Sequence, residues 1–125
     1  QARDYGCERE AFGRPIARNQ GIQFPIARAY SAMRSAELML NEAFRMYEAG
    51  QNPGQEANLA KLQSADASWQ AAEACIQTFG GFGFATEYNV ERKYREARLY
   101  QVAPISTNLI LSYIAEHVLK MPRSY

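Results

Sequence analysis

The segment from Gln55 to Phe79 constrains this chain more than any other. Leu62, Ala65, Trp69, Ala72, Ile76 and Phe79 recur in alternating steps of three and four residues. That spacing keeps side chains along one seam of an α-helix in a bundle. A long helix that is apolar along one stripe cannot stand alone in water, so it commits the chain to packing other helices against it. Gly80 and Gly81 follow, with Gly83 just beyond. Residues without side chains can stop a helix, and they can also let backbone approach something else closely. The sequence leaves both roles open.

The other segments supply the partners. Residues 1 to about 13 read as the end of a helix in register from its first residue, with Ala2, Tyr5, Arg9 and Phe12 at helical spacing and Gly13 as the stop. With no cap before Gln1, the chain is expected to be a fragment whose N-terminal part is absent. A second helix is expected from about Gln23 to Glu48, with Pro25 in its first turn. Its apolar face would carry Ile26, Tyr30, Met33, Leu40, Phe44 and Tyr47, with Glu37 inside the stripe and in need of a partner if buried. Gly50 to Gly54 end it. A shorter helix spans about Tyr88 to Tyr100, capped by Thr86 or Asn89 and turning Val90, Tyr94 and Ala97 inward. Pro104 breaks the chain. Ser106 or Thr107 can cap a last helix through Leu119, whose apolar face is Leu109, Ile110, Tyr113, Ile114 and Val118. No segment reads as a strand. The predicted fold class is all-α, an up-and-down four-helix bundle of four or five helices, with residues 1–125 as one domain.

Composition narrows the function classes. A chain of 125 residues suits one core. A net charge of +1 gives no argument for nucleic acid or an anionic membrane surface. No apolar run approaches the roughly 18 residues of a membrane span, and nothing at Gln1 reads as a signal peptide. Cys7 and Cys75 are far apart and form no metal or redox spacing, which points to a reducing compartment and against structural zinc.

Catalytic motifs are equally scarce. There is no nucleophile-and-base motif, no H-E-x-x-H, no Walker loop and no dinucleotide fingerprint, since the glycines follow a helix and not a strand. The single histidine, His117, reads as a surface or inter-helix contact. Carboxylate pairs such as Glu8–Glu10 and Glu87–Glu91 lie in charged stretches that solvation explains. From the residues alone, the chain is a helical bundle and nothing more.

Three ordered motifs add a resemblance. The first is Arg9-Glu10-Ala11-Phe12-Gly13-Arg14-Pro15-Ile16, with Gln20 seven residues past Gly13. The second runs from Gln77-Thr78-Phe79-Gly80-Gly81-Phe82-Gly83-Phe84 through Glu87-Tyr88 to Glu91-Arg92. The third is Arg95-Glu96-Ala97-Arg98-Leu99-Tyr100-Gln101. Together they resemble the C-terminal helical domain of the acyl-CoA dehydrogenase family, over about Ala2 to Val118.

The resemblance implies an FAD-dependent enzyme that removes hydrogen across the α,β bond of an acyl-CoA, cytoplasmic or, in a eukaryote, of the mitochondrial matrix. It implies self-association as homodimer or tetramer, because FAD in this family lies between subunits, and an electron-transfer flavoprotein as a possible partner. Arg9 and Phe12 match contacts to the diphosphate and adenosine of FAD; a guanidinium suits a diphosphate. Gln20 matches a further contact. Gln77, Thr78, Phe79, Gly80 and Gly81 match the backbone loop at the cofactor. Ser106, Thr107 and Asn108 match the N-terminus of the last helix, where free N–H groups favour an anion. One departure limits the inference. Pro104 occupies the usual position of the catalytic glutamate, and proline cannot remove a proton. The base is then expected outside this chain, on the helix upstream of Gln1, as in members resembling isovaleryl-CoA dehydrogenase. Alternatives are desulfinase-like chemistry on an acyl-CoA, or a helical interaction module with no enzymatic role.

Overall fold

A computed structural model, which describes residues 1–124, shows one central helix with the others arranged on it. The elements are α1 (Ala2–Glu8), a two-strand hairpin β1 (Glu10–Ala11) and β2 (Arg14–Pro15), α2 (Gln20–Glu48), α3 (Gly54–Phe79), α4 (Val90–Val102) and α5 (Thr107–Tyr113). Short 3₁₀ turns at Gly80–Phe84 and Thr86–Tyr88 join α3 to α4. A π turn at Ile114–Val118 continues α5. Helices α1, α2, α4 and α5 all pack on α3, as its seam requires. Leu62, Ala65 and Phe79 of that seam are buried.

The α2–α3 contact is built from alanines, and here the expected stripe was displaced by one residue. Ala29, Ala36 and Ala43 are the buried residues of α2, and Ala60, Ala67 and Ala74 are buried on α3. Both sets repeat every seven residues. Ala43 with Ala60, Ala36 with Ala67, and Ala29 with Ala74 border successive stretches of one groove, in antiparallel order. Small side chains at heptad spacing let two helix backbones approach closely.

The large residues expected inside instead lie on the neighbouring face. Tyr30 is 63% exposed and Tyr47 71%, with Met33, Leu40 and Phe44 also exposed. Ile26 alone of that stripe is half-buried. Glu37 is likewise at the surface, paired with Arg34. Apolar size alone does not say which side of a helix is inside when the buried seam is made of alanine.

Helix ends follow local chemistry. Gly50 has φ 69°, and the N–H of Gln51 donates to the Met46 carbonyl at 2.9 Å while that of Gly50 donates to Tyr47. This is a Schellman termination. Ser106 caps α5, its hydroxyl oxygen accepting from the Leu109 N–H at 3.2 Å. Asn89 occupies the N-cap position of α4 in the left-handed region, at φ 56°, with no side-chain cap. Helix α2 begins at Gln20, three residues before its expected start, which puts Pro25 inside the helix at the cost of one backbone bond. Ile110 is buried on α5, but Leu109 is exposed.

The N-terminal helix is the clearest correction. It ends at Glu8, because Arg9 turns extended at φ −71°, ψ 118°. Phe12 and Gly13 both take positive φ, 54° and 76°, as a two-residue primed hairpin turn demands. Ala11 pairs with Arg14 and Glu10 with Pro15. Helical spacing over so few residues could not be told from a hairpin whose turn residue is phenylalanine, a side chain rarely found at positive φ.

Candidate functional site

The C-terminal end of α3 meets α1 and the hairpin in a cleft of about 440 Å³. Its walls are Tyr5 of α1, Arg9, Ile16, and the run from Thr78 to Phe82. Tyr5 stacks on Phe79 with ring centres 4.0 Å apart and planes 15° from parallel. That stack ties α1 to α3 and sets where Arg9 leaves the helix.

The glycines at the cleft have different jobs. Gly80 caps α3 at φ 58°, ψ −133°, a conformation that L side chains avoid. Gly83 is packed: a Cβ there would stand 2.9 Å from Ile76 Cγ1 and 3.1 Å from the Ile76 carbonyl oxygen. Gly81 has neither constraint. Its φ is not positive, and a Cβ there would meet nothing of this chain within 4 Å. Both roles left open by the sequence are therefore present, divided among neighbouring residues. Gly81→Ala is expected to leave thermal stability within about 0.5 kcal/mol of the parent, whereas Gly83→Ala should lose about 1 kcal/mol in urea melts.

The polar groups are few. The Thr78 hydroxyl donates to the Ala74 carbonyl at 2.6 Å inside α3, so Thr78 offers the cleft little besides its backbone. Among the described residues no carboxylate pairs with Arg9; its guanidinium carbon lies 5.8 Å from the centre of the Phe82 ring. A cation beside bare backbone suits an anionic ligand. No group of three or more metal-binding side chains exists among the described residues. Elsewhere on α3, burial pushes the Cys75 thiol up.

Of the expected contact residues, Arg9, Thr78, Phe79, Gly80 and Gly81 line this cleft. Gln77 is exposed beside it, Phe12 stands fully exposed at the hairpin tip, and Gln20 opens α2, also exposed. Ser106, Thr107 and Asn108 are at the opposite end of the domain. Their neighbours Ile105 and Leu109 border a separate cavity with Asn58, near the start of α3. From Asn58 to Thr78 the helix rises about 30 Å. Thr107 Oγ1 is 3.4 Å from the Gln101 carbonyl oxygen, to which it donates. Pro104 lies exposed between α4 and α5, with no acidic residue from Ala103 to Ile110. Tyr5, Ile16 and Phe82 line the cleft without having been among the expected contacts, although Ile16 and Phe82 lie within the first and second motifs. Tyr5 was recoverable, since it precedes Arg9 by one helical turn.

Fold and cleft together define a helical domain that presents an arginine and open glycine backbone at one end. The sequence model described as the acyl-CoA dehydrogenase C-terminal domain matches residues 1–119, and the chain belongs to the acyl-CoA dehydrogenase family. It is 36% identical over 127 aligned positions to acyl-CoA dehydrogenase FadE12 of Mycobacterium tuberculosis, covering 100% of this chain and 33% of that protein. It is 36% identical over 122 positions to the mitochondrial short-chain specific acyl-CoA dehydrogenase of Sus scrofa, covering 97% of this chain and 30% of that one. Butyryl-CoA dehydrogenase from Megasphaera elsdenii superposes with a TM-score of 0.89 at 26% identity, over 94% of this chain and 31% of that one. The chain thus spans about a third of the length of the relatives it matches.

Proposed function

We propose that this domain forms one wall of the FAD site of an enzyme that dehydrogenates an acyl-CoA thioester between its α and β carbons. The observation that carries this is the Arg9 guanidinium, without a carboxylate partner among the described residues, beside the open backbone of Gly80 and Gly81. Arg9 would meet the diphosphate through charge-assisted hydrogen bonds, and the glycine backbone would pass close to the cofactor without side chains in the way. When bound, FAD supplies the hydride acceptor for the reaction. The chain's own part is to bind and orient it, with Phe12, Gln20 and Gln77 as further contacts from the same end.

Ser106, Thr107 and Asn108 serve a different flavin. About 30 Å of helix separates the two ends of α3, so the two sets act on the cofactors of different subunits. This supports self-association as a homodimer or tetramer. So does the exposed stripe of α2, because apolar area on that scale is normally covered. An electron-transfer flavoprotein is the proposed electron acceptor. No helix among the described residues is long and apolar enough to cross a membrane. The proposed compartment is the cytoplasm, or the mitochondrial matrix in a eukaryote.

The proton acceptor lies outside these residues, because Pro104 holds no proton-accepting group. Pro104 equally supports a second reading, an acyl-CoA-binding flavoprotein of this fold with desulfinase-like chemistry. Anaerobic titration of the full-length protein that carries this domain with a panel of acyl-CoA thioesters separates them. Loss of the visible flavin band is expected with at least one thioester. Flavin that binds but is never reduced would sink dehydrogenation and favour the second reading, and a chain that takes up no flavin at all would leave only a helical interaction module.

A further inference from the structure

Arg9 is the only cation among the residues lining the cleft, and among the described residues its side chain makes no hydrogen bond or ion pair. It follows α1 in extended conformation, where a long side chain has many rotamers. Its guanidinium nevertheless sits over an aromatic ring, 5.8 Å from the centre of Phe82. Phe82 is anchored in turn: it lies 5.6 Å from Tyr88, which meets Phe79 edge-on at 5.4 Å and Tyr5 at 6.3 Å. With the Tyr5–Phe79 stack, four rings connect α1, the end of α3 and both 3₁₀ turns. Phe82 itself is 46% exposed, more than packing alone would ask of a phenylalanine.

We propose that Phe82 is a positioning residue, holding the Arg9 guanidinium at the mouth of the glycine-lined cleft for the diphosphate of FAD. The reason is chemical. A carboxylate at this place would hold the arginine more firmly but would neutralise it and compete with an anionic ligand. An aromatic face attracts the cation through its quadrupole and leaves the N–H donors at the guanidinium edge free for phosphate oxygens. The ring reduces the rotamer freedom lost when the ligand binds, and that is how positioning appears in affinity.

The proposal rests on the flavin reading above, and a double-mutant cycle separates the two. FAD dissociation constants are measured by fluorescence titration of the full-length protein that carries this domain for the parent, Phe82→Leu, Arg9→Gln and the double variant, with apoprotein melting as a folding control. Phe82→Leu is expected to weaken FAD binding about three- to fivefold, and Phe82→Trp to restore it to about the parent value. In the Arg9→Gln background Phe82→Leu should add no further loss. Equal losses from Phe82→Leu in both backgrounds, or none in either, overturn the positioning role while the flavin reading stands. An Arg9→Gln variant that binds FAD as the parent does overturns both. Should Phe82→Leu melt early, Phe82→Met in the same cycle decides on the same criteria.

Discussion

Arg9→Gln is expected to raise the FAD dissociation constant of the full-length protein that carries this domain by roughly 10- to 100-fold. A hydrogen bond to a charged group contributes about 1.5–3 kcal/mol, and glutamine keeps part of the aliphatic stem and a polar end without the charge. The effect should exceed that of any other single change at the cleft, because no other residue lining it carries a charge. Arg9→Lys should recover only part of the loss, since an ammonium cannot make the paired contacts of a guanidinium fork. Folding should be untouched: among the described residues the Arg9 side chain meets one exposed ring and no carboxylate. Titration of apoprotein with FAD, together with a melting curve for each variant, checks both halves of this expectation.

The second large effect concerns the alanine seam. Ala36 is 4% exposed on α2 and Ala67 2% on α3, and they border the same stretch of groove. Replacing either with leucine inserts three carbons between two closely packed backbones. The helices must separate or the side chain must leave its rotamer, at a cost of about 1–3 kcal/mol. Leu38→Ala on the exposed side of α2, at a residue 65% exposed, should change stability by less than about 0.5 kcal/mol. Urea melts with unchanged m-values check the pair. If Leu38→Ala proved the more damaging change, the inside and outside of α2 would have been assigned backwards.

That assignment also shows where the sequence was readable. The seam of α3 was legible because Leu62, Trp69, Ile76 and Phe79 are large and the period runs unbroken for several turns. The inner face of α2 was not, although the signal was there: Ala29, Ala36 and Ala43 repeat at seven residues, as do Ala60, Ala67 and Ala74 on the helix opposite. Reading by size selected Tyr30 and Phe44 one position along, with Tyr47 on the same side, a face that this chain leaves exposed. The hairpin at Phe12 and Gly13 was hidden for a related reason, since its positive φ at phenylalanine is set by tertiary context and not by propensity.

The candidate site was half legible. Glycines after a helix announce a sharp turn, but only the backbone shows that Gly80 caps, Gly83 packs and Gly81 does neither. Motif resemblance offered Arg9 and Ser106, Thr107 and Asn108 alike as cofactor contacts, without telling whether they meet the same flavin. The placement of the last three near Asn58, at the far end of α3, is what argues for two cofactors and two subunits. No motif could reveal this, because the spacing of residues along a chain does not report which end of a bundle they reach.

The proposal that this domain completes a flavin site in a second copy of the protein is tested most directly by sedimentation velocity of the full-length protein that carries it, followed in the visible flavin band across a dilution series. Flavin absorbance should travel only with dimers or larger species and should appear as free cofactor when dilution yields monomers. Flavin that sediments with monomer, at the affinity of the intact assembly, would contradict the account.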